Sequence, residues 1–155
     1  MYNDAFRDLY GFTALSQKQM DYYTKMYFGF IRPEFVSLVL DARDNVVGFG
    51  ITMPSLALAL QKAKGSLLPF GFIHLLRAIR KNDIVHMYLV GVRPDYQGKG
   101  ILALVYHELT KAYIDAGIKL TRTHPQLEEN LRAIAIWKNY ESRLYIRRRC
   151  WIRDI

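Results

Sequence analysis

The sequence predicts an α/β domain with a mixed, mostly antiparallel sheet flanked by helices. Three observations predict it. Two apolar runs, 35–40 and 46–52, stand either side of a turn and read as an antiparallel hairpin. A strand at 84–92, an amphipathic stretch at 101–116 and a strand at 118–123 read as a βαβ unit. The tail, 143–153, alternates between apolar and basic residues and reads as a last strand.

The totals are consistent with this. A chain of 155 residues fits one domain and buries a core without metal or disulfide staples. With 51% hydrophobic and 14% aromatic residues it is not a disordered chain. The single cysteine, Cys150, excludes an internal disulfide, suits a reducing compartment and takes part in no metal-ligand spacing. The start, Met1 to Phe6, lacks the basic-then-apolar order of a secretory signal. No apolar run reaches the roughly 18 to 20 residues that cross a bilayer. The reading is therefore cytoplasmic. A net charge of +8 suits nucleic acid, an anionic membrane surface or a phosphorylated cofactor, and equally a solvated surface.

Taken in order, 3–10 and 16–30 read as helices, with 1–33 forming an N-terminal helical segment. Ser16 caps the second helix, and Gln19 completes a capping box. Met20, Tyr23, Met26, Tyr27 and Phe30 recur at helical spacing, a stripe that reads as core. Arg32-Pro33 ends the helix. In the hairpin, Asp41 to Asn45 is turn chemistry. Gly48 and Gly50 leave one face of the returning strand bare, which marks a bulge or a close approach to the backbone.

Residues 54–83 form a helical insertion: a helix from Ser55 to Lys64, then an apolar stretch, 67–81, ending in cations that suit a helix C-terminus. It is either a layer packed on the sheet, a wall for an apolar substrate, or a surface touching a membrane or a partner. On the helix 101–116, one face carries Ile101, Leu104, Val105, Leu109, Ala112, Tyr113 and Ala116, and Gly117 caps it. Thr123 or His124 caps a further helix, with Pro125 in its first turn, running to about Tyr140.

The stretch most telling of chemistry is Val90-Gly91-Val92-Arg93-Pro94-Asp95-Tyr96-Gln97-Gly98-Lys99-Gly100-Ile101. A strand passes through a glycine-rich bend into a helix, and the free N–H groups and dipole of that helix favour an anion. Its order resembles the acyl-CoA-binding motif of the GNAT superfamily of N-acyltransferases: a strand ending V-x-P, then Q/R-x-x-G-x-G/A opening a helix. The order of elements from residue 34 onward resembles that fold as well. The resemblance implies that Gln97, Gly98, Lys99, Gly100 and Ile101 hold a CoA pyrophosphate. It implies that the backbone of Val90, Gly91 and Val92 bonds the pantetheine arm and that Asn130, in Asn130-x-x-Ala133, contacts the arm.

Four departures stand out. Leu102 occupies the motif's last Gly/Ala position, and Trp137 stands where the family often has a Tyr acting as general acid. The insertion at 54–83 replaces a tight hairpin. The family's first strand is not visible before residue 34, so the chain reads as a single GNAT-like domain that is the C-terminal half of a longer, two-lobed protein. Lys62-Ala63-Lys64-Gly65, Leu68-Pro69-Phe70-Gly71 and the Arg148-Arg149-Cys150 tail resemble a group of bacterial GNAT-like proteins of unassigned substrate.

The resemblance implies direct attack of an amine on a thioester, which needs a proton acceptor and a donor for the leaving thiolate. Strand alternation places Ile84, His86, Tyr88, Val90 and Val92 on one face. His86, with an unperturbed pKa of about 6.5, and Tyr88 are the candidate proton carriers, with Tyr140 a third. An ordinary strand role fits His86 and Tyr88 equally. His74 reads as packing and His107 as surface; His124 and Glu129 are second-rank candidates, and Cys150 reads as a small core residue.

The tail arginines form a solvated face or meet an anionic ligand. Tyr145 and Trp151 among them raise base stacking, but the basic face is short and no nucleic-acid motif appears, which weighs against nucleic acid. The expectation is acyl-CoA-dependent N-acyl transfer, from acetyl-CoA or a longer acyl-CoA and without a metal, to a primary amine on a small molecule or peptide. The alternatives are a non-catalytic acyl-CoA or protein-interaction module lacking the general acid, and a basic nucleic-acid or membrane-surface binder. Membrane contact would run through 67–81, and oligomerisation stays open.

Overall fold

A computed structural model describes residues 1–29 and 31–153, with Phe28 described by its backbone alone. Phe30, the last member of the aromatic stripe, lies outside the described residues. The chain divides into two compact units, 1–123 and 124–155.

The first unit is built on a sheet of order β1-β2-β3-β4, comprising β1 (Val36–Leu40), β2 (Val46–Pro54), β3 (Ile84–Val92) and β4 (Leu120–Thr123). β1, β2 and β3 pair antiparallel, and β4 runs parallel to β3. The predicted hairpin and βαβ unit are both present. The hairpin turn is made by Asp41, whose Oδ1 accepts the N–H groups of Arg43 (2.8 Å) and Asn45 (3.0 Å). This is an Asx turn, and it lets Asp44 sit at φ 60°.

One face of the sheet is covered by α5 (Ile101–Asp115). The bare strip left by Gly48 and Gly50 is where this helix approaches. A Cβ on Gly48 would lie 2.4 Å from Ile101, and one on Gly50 would lie 2.7 Å from Val105 and 2.8 Å from Leu109. Phe35, Thr52, Val85, Val105, Leu109 and Tyr113 are buried on this side, and the Thr52 hydroxyl donates to the Phe35 carbonyl at 2.9 Å. The α5 stripe differs from the predicted one at three positions: Leu104 is 53% exposed, Ala116 is exposed, and Tyr106 is buried. Gly117, at φ 70°, ends α5: its N–H bonds the Ile114 carbonyl, and Ile118 N–H bonds that of Tyr113, a Schellman closure.

The other face carries α1 (Tyr2–Phe6), shorter than the predicted 3–10 because turns at Leu9 and Phe12 replace its last part. Ala5 packs against Gly91, and the rings of Phe6 and Phe49 meet edge-on at 6.3 Å. α2 (Gln17–Phe28) starts at the predicted Ser16/Gln19 capping box. Its Met and aromatic stripe is not core: Tyr23, Met26 and Tyr27 are all exposed. Tyr23 instead meets Tyr22 edge-on at 5.7 Å and stacks on Tyr27 at 6.3 Å.

The insertion contains α3 (Ala57–Lys62) and α4 (Gly71–Arg80), which pack on each other. Its base is pinned by Asn82, whose amide donates to the Ser55 carbonyl (2.6 Å) and whose Oδ1 accepts Ile84 N–H (3.0 Å).

In the second unit the predicted helix from about 124 is shortened to α6 (Leu131–Ile136). Its cap is Asn130, not Thr123 or His124; the Asn130 side chain accepts Ala133 N–H at 3.2 Å. Glu128 and Glu129 precede the helix. The tail is not a strand: 143–153 has no ladder and is exposed throughout, Cys150 included. Alternation alone does not make a strand when no neighbour supplies hydrogen bonds, and three consecutive arginines repel one another.

Candidate active site

The site begins on β3. β2 pairs with it as far as Gly48↔Val92, whereas β4 pairs only to Met87↔Thr123. From Tyr88 to Val92 the second edge of β3 therefore has no ladder among the described residues. Such an edge presents N–H and C=O groups at strand spacing to an extended ligand.

The register also slips between Ile51↔Leu89 and Thr52↔Met87, which inserts Tyr88 as a bulge. This corrects the single-face reading. Cross-strand partners share a face, so Val90 and Val92 lie with Gly50 and Gly48 on the α5 side. Upstream of the bulge it is Val85 and Met87, opposite Pro54 and Thr52, that take that side. His86 therefore points to the α1 side. His86 and Tyr88 stay together, with ring centroids 6.3 Å apart. Burial raises the Tyr88 phenol above its usual value, and Tyr27 of α2 adds to the shift. The His86 Nε2 is shut off from solvent.

Past Val92 the chain turns through a short 3-10 segment, Pro94–Tyr96, into Gln97-Gly98-Lys99-Gly100 and α5. Gly98 (φ 76°) and Gly100 (φ 78°) are left-handed, where other residues are strained. A Cβ on either would meet nothing within 4 Å. Among the described residues, the backbone N–H groups of Gly98, Gly100, Ile101 and Leu102 donate no hydrogen bond. Four such donors at the positive end of a fifteen-residue helix form an anion cradle.

The turn is braced by residues whose role the sequence reading missed. Tyr96 lies between two cations, with the Arg93 guanidinium 4.6 Å and Lys99 Nζ 5.0 Å from its ring centre. Its hydroxyl donates to Asp41 Oδ2 at 3.3 Å, joining the turn to the β1–β2 hairpin. Arg93 is held by Asp95 through bonds of 2.7 and 2.9 Å, and its N–H donates to the Val47 carbonyl at 2.9 Å. The available signal was the order of residue types: Tyr96 stands three residues from a cation on either side, Arg93 and Lys99.

The remaining candidates lie in the second unit. Asn130 uses its side-chain oxygen as the α6 cap. Tyr140 is half exposed, its ring 6.0 Å from that of Trp137. Trp137 donates its indole N–H to Gln126 Oε1 at 3.1 Å. His124 is held below its usual pKa by burial, with Arg148 contributing.

The fold matches solved acetyltransferases. Glucosamine-6-phosphate N-acetyltransferase from Arabidopsis thaliana is 12% identical, with a TM-score of 0.57 over 98% of this chain and 89% of that one. Naa20 from Chaetomium thermophilum, in complex with a bisubstrate analogue, is 19% identical, with a TM-score of 0.58 over 88% and 61%. An acetyltransferase from Trypanosoma brucei is 13% identical, with a TM-score of 0.53 over 90% and 82%. No curated protein matches the chain in sequence. The model of the acetyltransferase (GNAT) family matches residues 2–140, nearly the whole length, and the chain belongs to that family.

Proposed function

We propose that the protein transfers an acyl group from acyl-CoA to a primary amine. The observation that carries this is the glycine turn: two left-handed glycines with open space at their Cβ positions and unused N–H donors beside them. The chain's own packing leaves that space empty, so the small side chains serve an incoming group. The donor set fits a pyrophosphate: the N–H groups of Gly98, Gly100, Ile101 and Leu102 are unused, and Gln97 and Lys99 add a polar and a positive side chain. Leu102 lends its backbone to the cradle, which is independent of its side chain.

When bound, acyl-CoA supplies an activated thioester carbonyl. The open edge of β3 at Val90, Gly91 and Val92 holds the arm in line with the strand. Toward Tyr88 the site becomes one for moving protons. A phenol with a raised pKa keeps its proton at neutral pH, so Tyr88 Oη acts as a donor. His86, beside it, accepts the proton of the amine. The acceptor is an amine on a small molecule or a peptide.

Calorimetric titration of CoA into Gly98→Asn tests the cradle. Asn tolerates a left-handed backbone, so the fold and Tm survive, while its side chain fills the space. The expected result is a loss of CoA affinity of at least about tenfold. Unchanged affinity in a folded variant would sink the assignment. Thiol release from acetyl-CoA and longer acyl-CoAs across an amine panel then tests turnover. Binding without turnover in every pairing would favour a non-catalytic module.

A further inference from the structure

The insertion between β2 and β3 ends in a face that the protein leaves bare. On α4, Gly71, His74, Leu75, Ala78 and Ile79 are partly covered, whereas Phe72, Ile73, Leu76, Arg77 and Arg80 are exposed. The loop ahead of it exposes Leu68 (77%) and Phe70 (70%). An apolar cluster of this size on one short segment is more than the scattered surface leucines of an ordinary domain.

Charge identifies the occupant. Between 54 and 82 the chain holds Lys62, Lys64, Arg77, Arg80 and Lys81 and no acidic residue. Apolar tips flanked on both sides by cations are the pattern of a segment lying in a lipid headgroup layer, with rings below the phosphates and cations among them. No helix among the described residues is long and apolar enough to cross a membrane, so the contact is with a surface. The tail, 143–153, is as basic, but no helix gathers its apolar residues to one side.

Position also favours this. β3 runs from the insertion at Ile84 to the glycine turn beyond Val92, and nine strand residues span about 30 Å. The bare face is therefore at the opposite end of β3 from the anion cradle, and Asn82 fixes its base to the sheet edge.

We infer that the insertion docks the protein on an anionic membrane surface through Leu68, Phe70 and α4. The test is flotation of the full chain with vesicles of phosphatidylcholine alone and of phosphatidylcholine with phosphatidylglycerol, at low and high salt. Binding is expected to the anionic vesicles only, and to weaken with salt. Leu68→Ser with Phe70→Ser should weaken it at least about tenfold. Arg77→Gln, Arg80→Gln and Lys81→Gln together should weaken it about a hundredfold. Arg147→Gln, Arg148→Gln and Arg149→Gln in the tail should leave it within about twofold. Hydrogen exchange on the unsubstituted protein gives a reading independent of variant folding: vesicles should protect 67–81.

Three results would overturn the proposal. One is no binding to anionic vesicles at low salt. Another is binding lost with the tail arginines and kept without the insertion's residues. The third is burial of the face in a dimer, seen as a lipid-free dimer by light scattering that Leu68→Ser with Phe70→Ser dissociates.

Discussion

At the scale of single residues, the glycines of this chain serve two different purposes. Gly50 is small because Val105 and Leu109 occupy its Cβ space, so its role is packing. Gly50→Ala should cost about 2 kcal/mol, read as a lower urea midpoint, through the shift it forces on α5. Gly98 and Gly100 have no such neighbour, and their substitution should register in ligand affinity instead. Tyr88→Phe separates binding from chemistry at the neighbouring strand. It should lower kcat by roughly 10- to 100-fold and leave CoA affinity within about twofold, because the hydroxyl lies away from the cradle.

At the scale of elements, the hairpin and the glycine turn are one construction. Asp41 accepts from its own turn and from Tyr96. Hydrogen bonds from the N–H groups of Asn45 and then Arg43 hold its carboxyl below the usual value of 3.8. Its folded pKa is depressed, so its contribution is present above about pH 3.8 and is lost as pH falls further. Asp41→Ala should lower Tm by a few degrees at pH 7 and remove that part of the acid dependence. Thermal melts at pH 7 and pH 3 check both.

The same scale shows what was legible in the sequence. β3 is found at its predicted bounds, and the α2 cap and the Gly117 closure are made as read, because each is signalled by residues close in sequence. The tail strand and the early start of α6 failed because they depend on partners that local patterning does not encode. The bulge at Tyr88 left no trace in residue type, and with it went the correct face of His86. The glycine turn was legible as a motif, whereas the Tyr96 brace needed Asp41 brought next to it from far along the chain.

At the scale of the whole molecule, stability and exposure divide unevenly. Tyr113, buried beside Phe35 and next to Thr52, has its phenol pushed up to about 12 by burial. A raised folded pKa means that its contribution is intact below pH 10 and is lost as pH climbs toward 12, where the unfolded chain ionises first. Tyr113→Phe should flatten that alkaline loss, seen by comparing urea midpoints at pH 9 and pH 11. In contrast, 139–153 is exposed throughout. Brief trypsin treatment should cut first between Arg143 and Arg153, as mass spectrometry of the early fragments would show. Between these extremes lies β3, and its bulge has a consequence for how the domain tolerates change. One extra residue at position 88 acts as a phase shifter: odd positions face α5 before it and even positions after it. Deleting Tyr88 would not simply remove a side chain. It would remove the bulge, so that Val85, Met87, Val90 and Val92 alternate in step on the α5 side, at the cost of the phenol that the bulge presents beside His86.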